Sequence, residues 1–269
     1  MKRIGLLIAL LGAVLLVVAA LGQWTALGDF RTYSVRDWEK FDPETVPLWR
    51  SMTDLQAETD RHLPENPSEP DVMTSLQETI AKRFTVGEGV HNVFSNWIQW
   101  GLGRVHPAFL HVWSPELLVA KGQSMHCDQA SYLLMTLASQ RGILTRHVGL
   151  GGHVVMEAWY ADDWHLFDPD MEVIPLGPDG DVLSVDEVAQ DETALKKYFG
   201  RYPEMVGIVG SRENNTFVSL PVGARFDWKG NLLAYVEKIT EFLKFVIPLV
   251  MIGVGFWMMR SGGHCPRSE

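Results

Sequence analysis

Two long apolar runs bracket the chain, with patterned polar and apolar sequence between them. Ile4 to Leu21 is unbroken apolar sequence preceded by Lys2 and Arg3. Its eighteen residues rise about 27 Å as a helix, close to the hydrocarbon thickness of a bilayer. A secretory leader has a shorter apolar core, about 7–15 residues, so the run reads as an uncleaved anchor, although Ala20 and Gly22 leave cleavage open. The second run, Phe245 to Met259, reaches back to Phe242 if Lys244 snorkels. Pro248, Gly253 and Gly255 suit a membrane helix, and Trp257 suits its interface. Arg260 and Arg267 match the basic flank of the first run, against Lys238 and Lys244, which predicts both ends inside and residues 24–240 outside.

Between the spans the period changes. Thr45–Leu63 and Asp71–Phe84 read as two helices split by the breaker Pro-Glu-Asn-Pro-Ser-Glu-Pro. Val93 to Trp113 is aromatic-rich, and Trp97 and Trp100 share a helix face, as core packing or as the lining of a cleft. From Cys127, the positions Ala130, Leu133, Leu134, Leu137 and Ala138 mark one face of an amphipathic helix ending at Gly142. Strand-type sequence follows at Ile143–Leu150, His153–Tyr160 and Trp164–Phe167, with a polar turn at Ala161-Asp162-Asp163. Further on, Ser184 and Glu187 form a capping-box pattern and Asp191–Phe199 a short helix. Glu204–Gly210 and Thr216–Leu220 read as strands, and Leu232–Lys244 as a helix entering the second span. The expected divisions are an anchor at 1–23, a helical lead-in at 24–89, a core at 90–180, an extension at 181–240, a second span at 241–260 and a tail at 261–269.

Composition narrows the classes. The chain has 269 residues, 46% hydrophobic and 21% charged, and a formal net charge of −10. That charge, with no basic stripe, argues against a nucleic-acid partner. The two cysteines, Cys127 and Cys265, fall on opposite sides of the membrane in this topology and cannot pair. No cofactor motif is present. A metal site built from His126, Cys127, His153 and His165 lacks the paired spacing such sites use, so no metal is expected.

The chemistry concentrates between Gly122 and Asp170. Cys127 stands at a helix start, where free N–H groups and the positive dipole end favour thiolate. His153 begins one hairpin arm and Asp168 ends the other, an arrangement that thiol catalysis can use. Three pieces here, Gly-x-x-x-x-Cys-Asp-Gln-Ala, Arg-Gly-Ile-Leu-Thr-Arg, and Gly-His followed by Trp-x-x-x-Asp-Pro, occur in order. Over about residues 90–175 the chain thereby resembles the transglutaminase-like superfamily of papain-like cysteine enzymes. The resemblance implies an α+β, papain-like core, with Cys127 as nucleophile, His153 as general base and Asp168 as the residue orienting it. Val154 and Val155 follow the histidine where many members carry a small residue and an aromatic.

On ladder geometry alone Asp168 has competitors. A hairpin centred on Asp162 places Asp168 opposite Met156, about 10 Å along the strand from His153, and Glu157 and Asp170 are rival orienting acids. His126 is a rival base, and His165 reads as a solvated or core residue. The oxyanion hole would use the Cys127 backbone N–H and one more donor, Gln123 or a tryptophan indole such as Trp97 or Trp100. The expected activity is acyl transfer from a peptide or protein amide through a thioester, to water or an amine, hydrolysis being favoured. The expected setting is the inner membrane with the catalytic domain in the periplasm. Arylamine acetyltransferases share the fold but need cytosolic acyl-CoA, against the export signals. The other rival is a silent scaffold with partner proteins in envelope or exopolysaccharide assembly.

Overall fold

The computed structural model describes residues 1–31, 33–222 and 228–261. It is a mixed α+β chain with a small sheet and a long apolar helix near each end. The helices are α1 (Lys2–Trp24), α2 (Thr45–Leu48), α3 (Met52–His62), α4 (Glu69–Arg83), α5 (Trp97–Leu102), α6 (Pro115–Lys121), α7 (Cys127–Gln140), α8 (Val185–Gln190), α9 (Glu192–Phe199), α10 (Pro203–Gly210) and α11 (Trp228–Ser261). The strands are β1 (Thr85–Val86), β2 (Ser124–Met125), β3 (Leu144–Gly149), β4 (Val154–Tyr160), β5 (Asp163–Phe167) and β6 (Thr216–Leu220). Two compact units result. One holds Met1–Phe30, Val90–Val112 and the chain from Leu232; the other holds Arg31–Gly89 and Trp113–Asn231. The expected lead-in therefore folds with the sheet, and the aromatic segment 90–112 folds with the terminal helices.

In the larger unit the sheet runs β5-β4-β3-β6, every pair antiparallel. Side chains alternate across it. Tyr132 of α7 stacks on His147 at 4.8 Å, whereas its neighbour Val148 joins Val155, Val185, Val188, Leu195, Phe199 and Val209 in a core shared with α8, α9 and α10. The sheet is thus covered on both faces. Glu204–Gly210, expected as a strand, is the helix α10: Pro203 and Glu204 supply its first turn, and the buried residues Met205 and Val209 are one turn apart. Thr45–Leu63 is broken at Trp49 and Arg50, because Ser51 and Asp54 form a capping box that starts α3 afresh.

In the other unit α1 and α11, both long and apolar enough to cross a membrane, pack antiparallel on small residues. A methyl group added at Gly5 would meet the Gly255 carbonyl at 2.7 Å, and one at Gly12 the Pro248 carbonyl at 2.7 Å. Such small-residue seams let membrane helices approach closely. Pro248 lacks an N–H, so the carbonyl of Lys244, one turn earlier, loses its helical partner. The Trp97 indole fills that place, donating to the Lys244 carbonyl at 3.1 Å.

Next to this break α11 carries a buried polar stripe. His91 Nε2 lies 2.6 Å from Glu237 Oε1, and Asn96 donates to Thr240 and Glu241 at 3.0 and 2.8 Å. The Lys244 ammonium donates to the Ser95 carbonyl and Glu241, both at 2.7 Å. Lys244 therefore does not snorkel to water: it is 1% exposed and neutralised inside the protein. Cys265 and Arg267 lie outside the described residues.

If Trp97 satisfies the carbonyl that Pro248 frees, the two residues are energetically coupled. Trp97→Phe leaves a buried carbonyl unpaired and costs about 1–3 kcal/mol. In a Pro248→Ala background, where the helix recovers its own bond, the same change costs less than half as much. Thermal unfolding in detergent of the four proteins measures the coupling, and equal costs in both backgrounds reject it.

Candidate active site

Three features place Cys127. First, β2 runs parallel to β1, with Thr85 N–H donating to the Gln123 carbonyl and Gly87 N–H to the Met125 carbonyl, both at 2.9 Å. Second, the buried Arg83 guanidinium donates to three backbone carbonyls, Trp49 and Val119 at 2.8 Å and Gly122 at 2.9 Å. Burial pulls its pKa down to about 10, and carbonyls at the end of α6 take the place of a carboxylate partner. Third, Gln129 Oε1 accepts from the N–H of His126 at 3.1 Å and of Gly89 at 2.9 Å, while Nε2 donates to the Gly89 carbonyl at 2.9 Å. The chain is held on both sides of the helix start, and Cys127 is its first residue.

His153 enters from a different turn. Leu150 N–H donates to the His153 carbonyl at 2.8 Å across Gly151-Gly152, and Gly151 adopts φ +71°, which glycine takes without strain. On the next hairpin the turn has only two residues, Ala161 and Asp162, with φ of 50° and 63°, and Tyr160 pairs with Asp163. This is a type I′ geometry, one residue tighter than the sequence suggested. The register ends with Met156 opposite Phe167, so Asp168 falls beside Val155, two residues from His153 rather than three. That even offset is the diagonal relation, about 7–8 Å between neighbours on one face, which an imidazole and a carboxylate can span.

They do span it. His153 Nε2 lies 2.8 Å from Asp168 Oδ2, with side chains 5% and 0% exposed. Asp168 Oδ1 accepts from Met171 N–H at 3.0 Å, and its backbone pairs with Val173 in both directions. The rival Glu157 is committed elsewhere, to Arg146 Nε at 2.6 Å and Val185 N–H at 2.8 Å. His165 is buried, with its two ring nitrogens on the Val182 and Tyr160 carbonyls.

The Cys127 thiol is buried and unpaired in any disulfide. Burial pushes its pKa up, but hydrogen bonds and charge from His126 and His153 outweigh that and leave it lowered. For His153 burial acts downward, and the charge and hydrogen bond of Asp168, then the sulfur, carry the pKa well up. Both shifts act toward the thiolate and imidazolium forms of the pair. With Nε2 on Asp168, Nδ1 is the ring nitrogen left for the sulfur.

Gln123, a suggested oxyanion donor, is half-buried and uses its carbonyl in the β1–β2 pairing. Trp97 and Trp100 belong to the unit of the terminal helices, Trp97 bonded to Lys244 and Trp100 under the Arg104 guanidinium at 4.7 Å. Arg83 and Gln129 escaped the sequence reading. A buried arginine has no local signature, but a glutamine at the third position of a helix is a capping residue, and that signal was present. Comparison with protein-family models, curated proteins and solved structures finds no match to this chain.

Asp170 completes the surroundings. Its Oδ1 is shut off from solvent without a hydrogen-bond partner. Burial, then the Asp168 charge, raise its pKa to about 7, against His153, His126 and Arg36. An unfolded aspartate ionises near 3.9. Between those values the folded protein holds a proton that the unfolded chain has lost, so this group's contribution to stability falls as pH rises from about 4 to about 7. Asp170→Asn removes that slope. Melting temperatures of wild type and variant at pH 4.5 and 7.5 should differ more at pH 7.5, with the variant the more stable; a constant difference rules the effect out.

Proposed function

We propose that the chain is a membrane-anchored thiol enzyme with a transglutaminase-like, papain-like core that transfers the acyl group of a peptide or protein amide, with water as the usual acceptor. The observation that carries this reading is the buried 2.8 Å contact between His153 and Asp168, with the pKa of Cys127 lowered against burial by His126 and by this same His153 ring. A structural cysteine has no need of an imidazole backed by a buried carboxylate.

The chemistry follows from the atoms. The Cys127 thiolate attacks the amide carbon, and the carbonyl pair moves onto oxygen, facing the free amides at the α7 start. On collapse the C–N bond breaks and the leaving nitrogen takes the proton from His153 Nδ1. His153, now neutral, removes a proton from water, which attacks the thioester and releases the acid. Asp168 holds the ring in the tautomer that leaves Nδ1 to exchange the proton. The terminal helices hold the domain at the inner membrane on its extracytoplasmic side, within reach of envelope peptides and proteins.

Two experiments test this. In a Cys265→Ser background, a thiol-directed electrophile at pH 6 should label the purified chain at Cys127, and Cys127→Ser should abolish labelling and turnover of a peptide-amide library. Asp168→Asn should lower kcat by at least a hundredfold. A labelling rate that follows an ordinary thiol, with a pKa of about 8.5, leaves Cys127 a structural residue and the domain a scaffold. For topology, reporters fused after Leu220 and at the C-terminus should score on opposite sides of the membrane; the same side for both removes the second span.

A further inference from the structure

Resting on the thiol-enzyme reading, we propose that the Cys127 sulfur is served by two imidazoles with divided roles, His153 as the base and His126, fixed by Asp128, as a permanent donor to the thiolate. His126 Nδ1 lies 3.4 Å from Cys127 Sγ and 3.0 Å from Asp128 Oδ1. Asp128 Oδ1 also accepts from the Gln129 N–H at 2.8 Å, so the carboxylate is tied to the first turn of α7. The His126 backbone is tied there too, through Gln129 Oε1.

The division of roles comes from counting protons. An ionised carboxylate only accepts hydrogen bonds, so the His126 nitrogen facing Asp128 carries the hydrogen. That same nitrogen faces the sulfur and has no lone pair to offer the thiol proton. It can only donate. At His153 the carboxylate holds the opposite nitrogen, Nε2, which leaves Nδ1 to take the proton. The two pairs also differ in access to water: the His126 and Asp128 side chains are 56% and 25% exposed, those of His153 and Asp168 5% and 0%. The inner pair moves protons out of reach of solvent; the outer pair holds a charge in equilibrium with it.

In acylation, Sγ gives its pair to the carbonyl carbon and the proton on His153 goes to the leaving nitrogen. In deacylation, water loses a proton to His153, the new C–O bond forms, the C–S bond breaks, and its electron pair returns to Sγ. The His126 N–H receives that charge. The hydrogen bonds of Asp128 and Cys127, opposed by burial, hold the His126 pKa well up, so the donor stays charged across the working range. The charged groups bearing on the sulfur are thus His126 and His153. Behind them stand Asp128 and Asp168, and Asp170 acts on both rings with Arg36 acting on it.

The test is the alkylation rate of the full chain in detergent with iodoacetamide from pH 4.5 to 9.5, in a Cys265→Ser background. His126→Gln should move the acid limb up by about one unit, which with the change in plateau is a net loss of about threefold in rate on that limb. It should also raise the alkaline plateau about threefold, because a more basic thiolate is the better nucleophile. Asp128→Asn should shift the limb the same way by less, and it serves as a second variant should His126→Gln fail to fold. His153→Gln should keep a limb below that of a free thiol, and only the double variant should reach it. An ordinary limb in His153→Gln alone, or an unmoved limb and plateau in His126→Gln, overturns the second imidazole while sparing the enzyme. An ordinary limb in the parent protein overturns the enzyme reading itself.

Discussion

A carboxylate with no exposed surface has to be answered by donors, and Asp168 is such a group. Its two oxygens are taken by the His153 ring and the Met171 N–H. Losing one partner of a buried charged pair costs about 3–5 kcal/mol, so the contact fixes everything that delivers its two ends. Those are a two-residue turn with both central residues at positive φ, a register ending at Met156 and Phe167, and a glycine turn that brings His153 round at the head of β4. The ring can then face the sulfur only if α7 begins where it does, and β1, Arg83 and Gln129 hold that start in place. Local backbone chemistry and one buried polar contact thus specify each other.

Much of this was legible in sequence because it is local. The α7 face, the β3–β5 strands, the Ser184 capping box and the terminal apolar runs are each declared by contiguous stretches of sequence. What was misread depended on a single residue or on distant partners. The turn at Ala161-Asp162 was taken one residue too long, because an alanine at positive φ has no compositional signal, and that one residue lengthened the apparent offset from two residues to three, about 10 Å. The run after Pro203 was read as a strand from its apolar content, although the proline and glutamate at its head are helix-start residues. Arg83 and the polar stripe of α11 were invisible because their partners lie 34–39 and 144–149 residues away.

Polar burial is handled alike in the two units. In each, a cation out of water is met by backbone carbonyls: Arg83 by three of them, Lys244 by that of Ser95 with Glu241. Carbonyls at helix ends or bends already lack partners, so a buried donor there answers an existing deficit. Trp97 at the Pro248 break is the neutral version of the same arrangement.

The seam between the two apolar helices bears on the maturation of the chain. Gly5, Ala9 and Gly12 of α1 are buried, the first and last of them against the backbone of α11, and Ala19 and Gly22 nearer the other end are buried as well. Peptidase removal of such a segment would uncover this side of α11 and leave lipid to fill a groove shaped for glycine. Within its unit the first helix is a packing partner of α11, so a chain lacking it would uncover a face built for close backbone contact.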